Sequence, residues 1–241
     1  MRADVFLVEQ GYAKSRSEAQ AAIKAGLVRA NGAALSKPSQ TIAADAVIAY
    51  EKPHPYVSRG GVKLAAALDH FGLLPEERIC LDLGASTGGF TQVLLQRGAA
   101  RVFAFDVGYG QMDPSLTGDP RISVRDGVNV RDLTAADLPE AVTAVTADLS
   151  FISLKLALPP ALSLAEAGAW AVMLVKPQFE AGRPAIGKGG IVRDGAVRAS
   201  VVAGMEEFVT AQSGWRVLGH IESPIKGGDG NIEYLLAARK S

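Results

Sequence analysis

The chain has 241 residues, 48% of them hydrophobic, with 25 Lys and Arg balanced by 25 Asp and Glu. That is enough for one medium domain with a real core plus a small appended module, and it excludes a molecule drawn to polyanions by overall charge. The single cysteine, Cys80, excludes an internal disulfide framework, and the three histidines show no metal-ligand spacing.

Residues 1–57 open with two amphipathic stretches, about Ala3–Glu9 and Ser17–Ala25, the second capped by Ser15 or Ser17 with Ile23 facing inward. A strand in Gly26–Gly32 then meets Asn31-Gly32, a strong hairpin signal before Ala33–Leu35, and Ala46–Tyr50 reads as a further strand. Phe6-Leu7-Val8 is far too short for a leader, and the longest apolar runs, such as Ala169–Val175, are strand-length. The expectation is therefore a cytoplasmic protein. This segment carries seven Lys and Arg against five Asp and Glu, which alone implies only solvated helix charges. Yet Arg2-Ala-Asp-Val-Phe-Leu7, Ser15-Arg-Ser-Glu-Ala19 and Gly26-Leu-Val-Arg-Ala-Asn-Gly32 resemble the S4-type RNA-binding domain. The resemblance implies that Arg2, Lys14, Arg16, Lys24 and Arg29 touch RNA phosphates. Glu51-Lys-Pro-His-Pro-Tyr56 reads as an extended linker, so the expected domains are 1–57 and 58–241.

Ser58–Gly72 reads as a helix with Ser58 as cap, Gly72 as terminator and Lys63 near its start, where the macrodipole gives a cation nothing. Ile79–Leu83 is a short buried strand running into Gly84-Ala-Ser-Thr-Gly88-Gly89, a turn before a helix at Phe90–Gln96. The spacing is neither the dinucleotide fingerprint nor the phosphate-binding loop, and no lysine follows. A second strand, Arg101–Phe105, ends in Asp106, about 20 residues beyond the turn, where a carboxylate can bind ribose hydroxyls. Adenosine without a phosphate grip suggests S-adenosylmethionine. Asp82 is expected to support the turn or the methionine amine, and Asn129, after the third strand Ile122–Val124, to edge the adenine.

A fourth strand, Ala141–Ala147, delivers Asp148, and a fifth, Trp170–Val175, delivers Lys176 at the equivalent edge. Gly227–Leu236 reads as a turn into a final strand carrying Glu233. Asp148 and Lys176, approached by Lys63 and Glu233, make either an active site or an ordinary ion-pair network, and spacing alone does not choose.

Leu81-Asp-Leu-Gly-Ala-Ser-Thr-Gly-Gly-Phe90, Asp106, Ala147-Asp-Leu-Ser150 and Leu174-Val-Lys-Pro-Gln-Phe179 resemble FtsJ-type RNA 2′-O-methyltransferases. With the leading module, the whole chain resembles the TlyA-type family. The fold this implies is α/β: a Rossmann-like S-adenosylmethionine-dependent methyltransferase sheet with helices on both faces, preceded by a small α+β S4-type domain. Lys63, Asp148, Lys176 and Glu233 match the family's K-D-K-E tetrad, with Lys176 central, Asp148 orienting its amine and Glu233 holding the second lysine or the ribose. Gly84, Ala85, Ser86 and Gly88 would line the methionine side of the cofactor and Asp106 its ribose, while Arg59, Lys188, Arg193 and Lys226 would hold RNA around the mouth.

Asp148-Leu-Ser-Phe151 stands where amine methyltransferases carry Asn-Pro-Pro-aromatic, and no second cysteine offers a nucleophile for pyrimidine carbon methylation. The resemblance to the TlyA-type family implies ribosomal RNA or a ribosomal subunit as substrate, at cytidine. A non-catalytic RNA-binding or assembly protein and a haemolysin-like cytolysin are the competing readings.

Overall fold

The computed structural model describes residues 1–241 and divides them into two compact units, Met1–Pro55 and Tyr56–Ser241.

In the first unit, α1 (Ala3–Glu9) and α2 (Arg16–Lys24) accompany a three-stranded antiparallel sheet of β1 (Val28–Ala30), β2 (Ala33–Ala34) and β3 (Ile48–Tyr50), in the order β2-β1-β3. Ser15, not Ser17, caps α2: its hydroxyl accepts the Glu18 N–H at 3.2 Å, which satisfies one of the helix's orphan donors. Asn31 and Gly32 both take positive φ, 50° and 81°, matching the twist of the hairpin they join. Phe6, Leu7, Ile23, Val28, Leu35 and Ile42 close the core, each large side chain contributing roughly 1.5–3 kcal/mol by leaving water.

The second unit runs α3 (Gly60–Phe71), β4 (Ile79–Leu83), α4 (Gly89–Gln96), β5 (Arg101–Phe105), α5 (Pro114–Thr117), β6 (Ile122–Arg125) and β7 (Val142–Ala147), then α6 (Leu154–Ala157), α7 (Pro159–Leu164), β8 (Ala165–Val175), α8 (Pro177–Glu180), α9 (Gly195–Thr210), β9 (Trp215–Glu222) and β10 (Tyr234–Lys240). Its seven-stranded sheet has the order β6-β5-β4-β7-β8-β10-β9. Strands β4 to β8 pair in parallel, and β10 runs antiparallel to both neighbours.

Alternation along β4 sends Leu81 and Leu83 to a core shared with α6, α7 and α9, and Cys80 to one shared with α3 and α4. Both faces of the sheet are therefore covered, which explains why its strands read as near-continuous apolar runs.

Three local expectations change. Helix α3 starts at Gly60, and Ser58 supplies its main-chain carbonyl to Gly61 N at 3.1 Å instead of its hydroxyl, because Arg59 already has helical backbone angles. The final strand begins at Tyr234, one residue after Glu233, and β8 begins at Ala165, five residues before the expected start. Helix α9 and strand β9 have no counterpart among the predicted elements. Only Val202, Met205 and Val209 of α9 are buried, and β9 is an edge strand in which Trp215 alone is buried, so neither has a strong apolar period.

Candidate active site

Chain order along the sheet reverses between β4 and β7: the strands that follow β4 build outward one way, and those that follow β7 build the other. A crevice opens at the carboxyl ends of such a pair. Gly84 leaves β4 with φ 78°, and a β-carbon there would lie 2.6 Å from the main-chain oxygen of Asp148, which leaves β7. Only glycine lets the two strand ends approach this closely.

Asp82, on β4 beneath the turn, is fully buried and accepts hydrogen bonds from the hydroxyls of Thr91 (2.6 Å) and Thr146 (2.9 Å). Burial pushes its carboxyl up to about 6, the two threonines oppose that rise, and the negative charge of Asp148 adds to it. With no exposed surface, Asp82 ties β4 to α4 and β7, so of its two expected roles the geometry matches support of the turn.

The other turn residues divide. Gly84, Ser86, Asp106 and Asn129 line a cleft of about 410 Å³ together with Val107, Gln111, Val128, Asp148 and the segment Leu149–Ile152. Asp106 accepts the N–H groups of Ser86 (2.8 Å) and Gly108 (2.7 Å), one on each oxygen, leaving lone pairs toward the cleft. Asn129 uses its side-chain oxygen to cap the short helical turn at Arg131 N (3.2 Å). Ala85 lies in an adjoining recess of about 230 Å³ with Ser58, Arg59, Lys63 and Thr87. Gly88 lines neither space: it has φ 89°, and a β-carbon there would strike Met112 and Leu116. Its positive φ and the closeness of Met112 and Leu116 each require glycine here.

Lys63, Asp148, Lys176 and Glu233 form two ion pairs. Lys176 Nζ lies 2.7 Å from Asp148 Oδ1 and donates to Ser150 Oγ at 2.8 Å, and Lys63 Nζ lies 2.5 Å from Glu233 Oε2. Both lysines are buried, an unusual position for an ammonium and one held only by pairing. Asp148 borders both spaces, so the Lys176 pair stands where the cleft meets the Lys63 recess.

Beside it, Phe151 has φ 63° and is 92% exposed, its ring centroid 5.2 Å from that of Phe179. An exposed phenylalanine in a left-handed conformation is costly and rare. Sequence reasoning missed it, along with Ser150 and Gln111, because neither the turn spacing nor the strand pattern distinguishes these positions. The one available signal was the run Asp148-Leu-Ser-Phe151 directly after a strand.

In the first unit, all five expected RNA contacts, Arg2, Lys14, Arg16, Lys24 and Arg29, are exposed. Arg2 (2.9 Å) and Arg16 (3.0 Å) converge on the buried Asp4, which also accepts from Gln20 (2.8 Å). The Arg2 guanidinium, aided by Gln20 and Arg16 against the cost of burial, holds the Asp4 carboxyl well below the usual carboxylate range. In the second unit, Arg59, Lys188, Arg193 and Lys226 are exposed on segments bordering α3, preceding α9 and preceding β10.

A doubly wound sheet with one reversed strand beside its edge, a glycine turn at the switch point and no phosphate grip defines the methyltransferase class of α/β proteins. The FtsJ-like methyltransferase family model matches residues 56–240, and the S4 domain model matches residues 1–48. A Bacillus subtilis chain provisionally named an rRNA methyltransferase, YqxC, is 46% identical over 98% of this chain and 84% of its own length. The Mycobacterium tuberculosis protein named 16S/23S rRNA (cytidine-2′-O)-methyltransferase TlyA is 44% identical over 99% of this chain and 89% of its own. A solved structure from Streptococcus thermophilus, provisionally named a hemolysin, superposes with a TM-score of 0.79 at 41% identity, covering 100% of this chain and 88% of its own. The chain belongs to the FtsJ-like methyltransferase family and carries an S4 domain at its N-terminal end.

Proposed function

We propose that the protein transfers a methyl group from S-adenosylmethionine to the 2′-hydroxyl of a cytidine ribose in ribosomal RNA, with residues 1–57 as the RNA-binding domain and 58–241 as the methyltransferase domain. The observation that carries this reading is the Lys176–Asp148 pair, at 2.7 Å, opening onto a nucleoside-sized cleft whose turn has no phosphate grip. The name borne by the M. tuberculosis relative supports ribosomal RNA and cytidine in particular.

The cleft fits the cofactor. The turn residues Gly84 and Ser86 border room for the methionine portion, Asp106 offers its remaining lone pairs to ribose hydroxyls, and Val107, Val128 and Leu149 supply apolar surface for an adenine. Bound there, S-adenosylmethionine supplies an electrophilic methyl on a sulfonium. The chain's own residues then handle the acceptor. Lys176, fixed by Asp148 and Ser150, would steer the 2′-oxygen toward an in-line approach, and the hydroxyl proton would leave late, to water at the open cleft, as the new C–O bond forms and the methyl's C–S bond breaks. Lys63, held by Glu233, adds a second cation beside the ribose. Phe151 and Phe179 offer an aromatic face on which the target base can stack. Arg2, Lys14, Arg16, Lys24 and Arg29, with Arg59, Lys188, Arg193 and Lys226, bind phosphates. Work on ribosomal RNA belongs in the cytoplasm.

No helix is long and apolar enough to cross a membrane. Calorimetry with S-adenosylmethionine, followed by transfer of its labelled methyl group to purified ribosomal RNA, tests the proposal. Cofactor binding with label retained in RNA is the expected result. RNA binding without cofactor binding would replace it with the non-catalytic reading, and release of dye from liposomes would favour a cytolysin.

A further inference from the structure

Asn231 has no role in the chemistry above, yet it is 1% exposed and spends its whole amide on one distant loop. Its side-chain oxygen accepts the Val192 N–H at 3.0 Å, and its side-chain nitrogen donates to Gly190 O at 3.0 Å. Its main-chain oxygen accepts the Gly227 N–H at 2.9 Å. One residue thus joins the 187–193 loop, with exposed Lys188 and Arg193, to the 223–231 loop, with exposed Lys226.

The same loop reaches the ion pair. A β-carbon on Gly227 would sit 2.5 Å from Glu233 Oε1, so the Gly227 backbone lies directly against the carboxylate that holds Lys63. Glu233 O also accepts the Ser223 N–H at 2.8 Å, closing the loop on itself. A β-carbon on Gly228 would lie 3.5 Å from Arg59 Nη2.

On the far side, the 187–193 loop has few ties of its own. Gly187 N donates to Ile191 O and Gly190 N to Gly187 O, both within the loop, and Arg198 holds only the carbonyls at its end, Val192 O and Arg193 O. A glycine-rich segment with Gly189 at φ 79° and Gly190 at φ 76° has little intrinsic order, so its place rests on the buried Asn231 amide together with the buried Val192 side chain.

We propose that Asn231 is a positioning residue. It fixes the Lys188–Arg193 loop against the Gly227–Glu233 segment, so that cations gripping RNA phosphate and the Lys63–Glu233 pair move as one body. The inference rests on the proposed RNA-methyltransferase reading.

Two measurements separate the tie from that reading. In native-state hydrogen exchange, Asn231→Ala loses protection at the Val192 amide, and Asn231→Asp, which keeps the acceptor oxygen but loses the donor to Gly190 O, retains only part of it. In methyl transfer, Asn231→Ala raises KM for ribosomal RNA about tenfold while S-adenosylmethionine affinity stays within about twofold. Lys188→Ala with Arg193→Ala raises the same KM without altering Val192 exchange, and adding Asn231→Ala to that pair raises it less than multiplicatively, since contacts within one network do not add. A Val192 amide still protected in Asn231→Ala, an unchanged KM for RNA, or a cofactor affinity that falls in step with KM overturns the proposal. If wild-type protein transfers no methyl group, the functional reading fails, while Val192 exchange in the two variants still decides whether the tie exists.

Discussion

The two units handle charge in opposite ways. In residues 1–55, the cations are exposed and the anion is buried: Arg2 and Arg16 lie about half open to solvent around a fully enclosed Asp4. At the cleft of the second unit the cations are enclosed, Lys63 and Lys176 each sitting below the surface beside Glu233 and Asp148. An exposed guanidinium held from behind keeps donors for a phosphate at small cost, which suits repeated, sequence-independent contact with RNA. An ammonium taken out of water is fixed in place and effective at short range, which suits a single reacting atom.

The sharpest way to break this contrast is to remove a buried cation. Lys176→Ala is expected to lower the single-turnover methyl-transfer rate by about 10²–10⁴-fold, with affinities for RNA and S-adenosylmethionine retained. A comparable fall in RNA affinity instead would make Lys176 part of the grip. Removing exposed cations has a smaller effect of a different kind. Arg2→Ala with Arg16→Ala weakens RNA binding across sequences and reduces the slope of log affinity against log salt by about 2, with transfer from saturated complex unchanged. An unchanged salt slope would show that Asp4 keeps both arginines to itself.

The buried carboxylates sharpen the contrast through pH. Asp82 has a folded-state pKa of about 6, above its ordinary 3.8, so the folded state binds the proton more tightly and stability falls as pH rises between those values. Asp82→Asn flattens thermal stability against pH across that window. Asp4, with its pKa lowered by Arg2, Gln20 and Arg16, contributes stability that is present above the ordinary carboxylate range and lost only as pH falls well below it. Denaturation curves from pH 4 to 7 for wild type and Asp82→Asn check the first sign, and a wild-type curve rising toward pH 7 would contradict it.

The smallest expected effect concerns two serines that read alike in sequence. Ser15→Ala costs about 1 kcal/mol through the lost cap on α2, whereas Ser58→Ala leaves the start of α3 intact because its contribution is main-chain. Equal losses would mean that the Ser58 hydroxyl does more than the hydrogen bonds indicate.

That serine pair shows where the sequence was legible. Strands β4, β5 and β7 and their exit residues Gly84, Asp106 and Asp148 were readable because short apolar runs bounded by turn residues admit little else. Lys176 followed from the same logic at the end of β8. The pairing of Lys63 with Glu233 spans 170 positions and depends on how α3 and the segment before β10 approach the sheet, which no local pattern encodes. The family resemblance supplied the four residues together and put Asp148 on Lys176 and Glu233 on the second lysine or the ribose; the geometry pairs Glu233 with Lys63. At Gly88 the conformational need was readable, while the Met112 side chain packed beside it was not. Asn231 was invisible because its meaning lies in burial, and the run ending in Phe151 was visible while that residue's positive φ and exposure were not.

Everything proposed for the cleft turns on the methyl group going to a ribose oxygen. Ribosomal RNA labelled by the wild-type protein with S-adenosylmethionine carrying a labelled methyl group, digested to nucleosides and separated, tests it most directly. Label is expected in 2′-O-methylcytidine. Label on a base, at carbon or at an exocyclic amine, would contradict it.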